Sequence, residues 1–172
     1  MTPRPVSIRP ARESDLPALV ALANHYIEQT NALFTTELQT VEGRRSWFEG
    51  YGTGRYRLLV AEDETGLLGC TYSSRYRPTP AFDTTVETSI YLQPHCHGAG
   101  LGARLYAALF DILRMEEVHL AVAGVAQPNP ASNALHRKCG FEEVGTFREY
   151  ARKRGVWISS TWFQKLIVTT TA

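Results

Sequence analysis

The chain has 172 residues, 44% of them hydrophobic and 20% charged, with a formal net charge of +1. That length suits one domain with a real hydrophobic core, and the composition excludes disordered and fibrous classes. A charge so near zero leaves no electrostatic footprint for general nucleic-acid binding, and nowhere do about 18 apolar residues run together to span a membrane.

In chain order, "VSIRPA" predicts a short first strand. "ESDLPALVALANHYIEQT" predicts an amphipathic helix, with Ser14 as N-cap, Pro17 in the tolerant first turn, and Leu16, Leu19, Val20, Ala23 and Ile27 at helical spacing. "TVEGRRSWFEG" predicts a shorter helix capped by Thr40. "YRLLVAEDETGLLGCTYSSRY" reads as a hairpin around an acidic turn that ends in glycine, and "DTTVETSIYL" as a further strand. A helix follows from about Leu101 to Met115, then a continuous apolar run, "VHLAVAGV", that fits a strand buried on both faces. "PASNALHRKCGF" predicts a helix stopped by Gly140, and "FEEVGTFREYARKRGVWISSTWFQKLI" two closing strands. The order β-α-α-β-β-β-α-β-α-β-β implies a mixed sheet with helices packed around it, one domain over residues 1–172 with a core of about 6–168.

Cys70, Cys96 and Cys139 are odd in number and far apart, unlike a secreted disulfide scaffold. No early segment combines a basic start, an apolar run and a small-residue cleavage site, so a cytoplasmic location is expected. His95-Cys96-His97 is too compact to converge three ligands on zinc, and no metal is expected.

The segment "HCHGAGLGARLY" places three glycines in five positions at the mouth of a helix. Forced onto a dinucleotide fingerprint it fails, because Glu116 and Glu117 precede the next strand instead of ending it. A Walker loop is excluded, since no Lys-Ser/Thr pair follows the glycines. A bare strand-to-helix turn remains open, and so does a cradle in which backbone N–H groups and the helix dipole receive a pyrophosphate.

Strand, "HGAGLGARLYAAL", strand and "NPASNALHRKCGF", in that order, resemble the GNAT superfamily of acetyl-CoA-dependent N-acetyltransferases. "NHYIEQTNALFTTELQT", "TVETSIYL", "PNPASNALH" and "KRGVW" narrow the resemblance to the phosphinothricin and methionine sulfoximine acetyltransferases, over about Ile8 to Gln164. It implies a GNAT-type α/β fold, a mostly antiparallel sheet flanked by helices, with acetyl-CoA at the splayed central strands. In the family's loop pattern His97, Gly100 and Gly102 take the Arg/Gln-x-x-Gly-x-Gly/Ala positions. His97 is a departure from the usual Arg or Gln, and Gly98 from a basic or polar residue. Gly98, Ala99, Gly100, Leu101, Gly102 and Ala103 would hold the pyrophosphate. Ile90, Tyr91 and Leu92 would pair with the pantetheine arm through their backbone, and Asn129 and Ser132 would contact it.

Strand alternation puts Glu87, Ser89 and Tyr91 on one face, and Val86, Thr88, Ile90 and Leu92 on the other. From the residues alone Glu87 is either solvent-facing or a costly buried charge with a purpose. The resemblance makes it the general base, its pKa raised by partial desolvation. It sets His136 where many relatives carry the tyrosine that protonates departing CoA, so the imidazole either gives that proton or orients substrate. Arg77 would grip the acceptor's carboxylate through its planar fork. Pro78, Thr79, Thr88, Ser89, Lys153 and Trp157 would wall the acceptor pocket, and Phe34 would cover it. Cys139 reads as core and not as a nucleophile.

The expected function is acetyl transfer to the α-amine of a small amino-acid-like acceptor such as phosphinothricin or methionine sulfoximine, by a homodimer that binds neither nucleic acid nor membrane. Two alternatives remain open: another GNAT acceptor (polyamine, aminoglycoside or protein N-terminus), and a non-catalytic acyl-CoA-binding regulatory module.

Overall fold

A computed structural model of the chain describes residues 5–167. Seven strands and four helices follow in the expected order: β1 (Ser7–Pro10), α1 (Leu16–Gln29), α2 (Val41–Glu49), β2 (Leu58–Asp63), β3 (Gly66–Arg75), β4 (Thr85–Leu92), α3 (Leu101–Leu113), β5 (Leu120–Ala126), α4 (Pro130–Lys138), β6 (Glu142–Lys153) and β7 (Val156–Leu166). The C-terminal edge of the expected core, Val168, lies outside the described residues.

The start of α1 differs from the sequence reading. A single 3₁₀ turn (Glu13–Asp15) precedes it, so Asp15 and not Ser14 stands at the N-cap. Asp15 has more to hold there: its carboxylate accepts the Arg12 N–H and a two-point contact from Arg9, which also bonds Glu62 on β2. Ser14 has no such partners to recruit it. Thr40 does cap α2, accepting from the Gly43 N–H at 3.0 Å.

The sheet runs β1-β2-β3-β4-β5-β7-β6. All neighbours are antiparallel except β4 and β5, which pair in parallel over only three rungs: Thr85↔Leu120, Val86↔Ala121 and Glu87↔Val122. β5 starts at Leu120, two residues later than the apolar run suggests, because Val118 and His119 still belong to the turn out of α3. Beyond the third rung the two strands separate and the sheet opens at its centre.

Two cores flank the sheet. Apolar side chains of α3, among them Leu105, Leu109 and Leu113, pack with Val86, Ala121, Ala123 and Phe163 on one face. On the other, Leu19 and Leu22 of α1 pack with Leu58, Val60 and Cys70. The opening between β4 and β5 is therefore walled by α3 and α4 on one side and by the α1–α2 region on the other.

Candidate active site

A cleft of about 440 Å³ fills the opening, lined by β4, the glycine loop, the start of α3, β5 and α4. Every expected cofactor contact except Ala99 lines it. The glycines there serve two different purposes. Gly98 and Gly100 adopt φ of +80° and +77°, and a Cβ on either would meet nothing within 4 Å. Their need is conformational: left-handed backbone keeps a bare surface turned to the cleft. Gly102 is helical, and a Cβ there would lie 2.9 Å from Leu135 Cδ2. Its need is close approach of α3 to α4.

The start of α3 adds free backbone N–H groups and the positive end of a 13-residue helix. A pyrophosphate fits such a place, and the open space at Gly98 and Gly100 leaves room for it. His97 lies beside this cradle, its Nε2 3.3 Å from the Tyr26 hydroxyl.

That hydroxyl changes the reading of the pantetheine track. Tyr26 donates to the Leu92 carbonyl at 2.7 Å and lies 3.4 Å from the Leu92 N–H. The outward edge of Leu92 is thus already partnered by α1. Tyr91 points its carbonyl toward Gly69 of β3. Ile90, alternating with Tyr91, presents its N–H and carbonyl to the opening, and is the member of Ile90-Tyr91-Leu92 with free backbone there.

On α4, Asn129 Oδ1 accepts the Ser132 N–H at 3.1 Å and so caps the helix. His136 is buried and half-enclosed by the rings of Tyr106, Phe141 and Phe163, at centroid distances of 5.4, 5.1 and 5.3 Å. Its Nδ1 donates to the Ser132 carbonyl at 2.7 Å, which leaves Nε2 to accept from the Tyr106 hydroxyl at 3.0 Å. Burial pushes the imidazole pKa down. It is a neutral ring with both nitrogens engaged.

Glu87 occupies the last paired rung, half-buried, and no described residue bonds or pairs with its carboxylate. Burial raises its pKa above the ordinary glutamate value. On the same face, Gly124 of β5 is bare, and the Trp162 indole of β7 lies where a Cβ would stand, at 3.1 Å. Trp162 continues an arc of rings: Tyr76 at 6.1 Å, Tyr150 at 6.4 Å, and Phe34 at 5.8 Å from Tyr150. The Trp162 N–H and the Ser160 hydroxyl are buried there without a partner.

The expected acceptor residues divide. Phe34 joins the arc through Tyr150. Arg77, Pro78 and Thr79 lie exposed after β3, with the Arg77 guanidinium over Tyr76 and Phe82 at 5.0 and 5.6 Å. Ser89 shares the Glu87 face. Thr88 lies on the opposite face, buried, its hydroxyl donating to the Val122 carbonyl at 3.3 Å. The Lys153 ammonium is buried and donates to the carbonyls of Thr30 and Leu33 at 2.9 and 2.7 Å. Its charge therefore holds the segment after α1 in place. Trp157 is 57% exposed at the β6–β7 hairpin beside Arg152 and stands outside the arc. Tyr26, Tyr76, Tyr106, Tyr150 and Trp162 were not singled out from sequence; aromatic residues in predicted helices and strands read simply as core.

Among the described residues no cluster of three His, Cys, Asp or Glu side chains could hold a metal. In His95-Cys96-His97, the thiol is buried while His95 is exposed, so the three do not converge.

The model of the acetyltransferase (GNAT) domain matches residues 8–162. A phosphinothricin N-acetyltransferase of Streptomyces coelicolor is 46% identical over 93% of this chain and 95% of its own length. An L-methionine sulfoximine/L-methionine sulfone acetyltransferase of Pseudomonas paraeruginosa is 35% identical over 92% of each. The crystal structure of a phosphinothricin acetyltransferase from Sinorhizobium meliloti in complex with AcCoA superposes with a TM-score of 0.89, at 27% identity, over 94% of this chain and 88% of that one. The family model covers most of the chain and the relatives match it nearly end to end, so the chain belongs to the GNAT family of acetyl-CoA-dependent N-acetyltransferases.

Proposed function

We propose that the chain acetylates the α-amine of a small amino acid whose side chain ends in a phosphinate, sulfoximine or sulfone. The observation that carries this reading is Glu87: a half-buried, unpaired carboxylate at the last rung before the sheet opens. Acetyl-CoA supplies the acetyl group activated as a thioester. The bare loop at Gly98 and Gly100 and the start of α3 receive its pyrophosphate, and Ile90 offers backbone groups to its arm. Asn129 and Ser132 border that arm from α4.

Glu87, its pKa raised above the ordinary glutamate value by burial, takes a proton from the acceptor's ammonium and so frees the lone pair that attacks. Backbone N–H groups along the opening would stabilise negative charge as it develops on oxygen, the carbon–sulfur bond of the thioester would then break, and CoA would leave as a thiol after taking up a proton. His136, neutral and holding the Tyr106 hydroxyl, acts by positioning. Arg77, with no carboxylate partner among the described residues, is available to the acceptor's carboxylate. The ring arc around Trp162 supplies an apolar wall, and the unpartnered Trp162 N–H and Ser160 hydroxyl are suited to a polar oxygen on the side chain.

The relatives' names support the acceptor class, as does a cleft whose described lining holds no Asp or Glu, the walls that a polyamine would require. We also propose a homodimer formed along the β6 edge. Val144 and Phe147 of β6 and Val156 at the start of β7 are 62%, 58% and 59% exposed, and β6 is an edge strand with one side unpaired among the described residues. A cytoplasmic location fits the three free cysteines.

A thiol-release assay with acetyl-CoA tests the acceptor. Methionine sulfoximine, methionine sulfone and phosphinothricin should turn over far faster than spermidine, an aminoglycoside or a peptide N-terminus. Preference for spermidine or the peptide would remove this acceptor class while leaving the cofactor site intact.

A further inference from the structure

A second cavity, of about 210 Å³, lies between α1, α2 and strands β3 and β4. It shares Tyr91 with the acetyl-CoA cleft, but neither Glu87 nor Arg77 lines it. Tyr91 is four residues along β4 from Glu87, about 13 Å at the usual rise per residue. Tyr72, which also lines it, lies opposite Ser89, two residues from Glu87.

Arg44 is the group that calls for an explanation. Arg9, Arg45, Arg57, Arg75, Arg114 and Arg137 each pair with a carboxylate. Arg44 is half-buried, and among the described residues it has no carboxylate or carbonyl partner. Its guanidinium carbon lies over the Trp47 ring, 3.4 Å from the centroid, with Tyr72 and Tyr91 close by. Stacking occupies the face of the guanidinium and leaves its N–H edge free to grip a carboxylate in two-point fashion. Removing such a charge from water without a partner is costly.

Gln39 is the second, independent observation. Its backbone is clamped to α1, donating to Asn24 Oδ1 at 2.8 Å and accepting from Asn24 Nδ2 at 2.9 Å. That clamp sets its side chain against the cavity, where Oε1 is buried with no partner. A buried acceptor of this kind is rare unless something donates to it. Between the two polar groups the wall is apolar: Leu19, Leu22 and Leu33.

We infer that this cavity is a binding site, distinct from the acetyl-CoA cleft, for a small carboxylate that also carries an N–H donor. The carboxylate meets the Arg44 fork, the N–H meets Gln39 Oε1, and a short apolar body fills the space between. The site does not depend on the acetyl-transfer reading.

N-Acetylglycine, which carries both groups, is a suitable probe, followed by the indole N–H resonances of ¹⁵N-labelled protein without acetyl-CoA. Saturable movement of the Trp47 indole is expected, unchanged in Glu87→Gln. Arg44→Gln should weaken it at least about tenfold, the loss of a charge-assisted pair. The neutral methylamide of N-acetylglycine should bind wild-type protein comparably poorly, an arm that needs no variant to fold. No saturable binding, equal binding of the neutral amide, undiminished binding to folded Arg44→Gln, loss of binding in Glu87→Gln, or movement of Trp162 without Trp47 would each overturn the assignment.

Discussion

Glu87 faces Val122 across the third and last rung that joins β4 to β5, and one residue further the strands part. Sheet pairing thereby fixes its backbone, and the half-buried carboxylate stands one residue before Thr88 and Ser89, which line the cleft. No described residue pairs with that carboxylate, and burial alone raises its pKa above the ordinary glutamate value. A general base needs both: a rigid position and a pKa near the working pH.

Substitutions at the two kinds of glycine should separate cofactor binding from packing. Gly100→Val forces a β-branched residue into φ of +77° and projects a side chain into the cradle. A stability cost of about 1–2 kcal/mol is expected, with acetyl-CoA affinity down at least about tenfold by calorimetry. Gly102→Ala instead presses on Leu135. The Leu135 side chain can give way and a helical Ala gains about 0.8–1 kcal/mol over Gly, so stability should change by less than about 1 kcal/mol, with a lesser effect on affinity.

Lys153 and Leu33 are far apart in sequence but joined by a 2.7 Å hydrogen bond, and Arg154 bonds the carbonyls of Glu28 and Thr30 beside it. Lys153→Met keeps the length of the side chain and removes the donor. About 1–3 kcal/mol of stability should be lost in thermal unfolding, since the Leu33 carbonyl loses its charged partner. The segment carrying Phe34 would loosen, so KM for the acceptor should rise several-fold while KM for acetyl-CoA stays near wild type.

The same pair shows where sequence reading stops. Helical and alternating periodicities are local, and they placed all eleven helices and strands in order. Gly98 and Gly100 were legible because left-handed backbone beside a helix start demands glycine. The partner of Lys153 lies 120 residues away, and no local pattern distinguishes a lysine bonded to two carbonyls from one that binds substrate. Trp157 enters the expected pocket through the resemblance of "KRGVW", whereas the ring arc around Trp162 depends on a hairpin whose two register shifts no local pattern announces. Ser14 looked like the cap until Arg9 and Glu62, distant in the chain, made Asp15 the better anchor.

His136 should leave a pH signature in stability. Burial holds the folded-state imidazole below its ordinary value, so the unfolded chain binds the proton first. The stabilisation is complete above the ordinary value and is lost as pH falls through the depressed one. Denaturant melts from pH 7.5 down to about 5 should therefore show falling stability, and His136→Gln, which cannot titrate, should show a shallower fall over that window. Equal slopes would mean that other groups carry the acid sensitivity.

The role of Glu87 is tested most directly by the pH dependence of thiol release from acetyl-CoA, with methionine sulfone as acceptor, in wild type and Glu87→Gln. Wild-type rate should fall on the acid side through a pKa above the ordinary glutamate value, because only the carboxylate form accepts the ammonium proton. Glu87→Gln should lose that limb and about 10²-fold or more in rate near pH 7.5, with acetyl-CoA affinity nearly unchanged. A Glu87→Gln protein that keeps near wild-type turnover and the same acid limb would contradict Glu87 as the base.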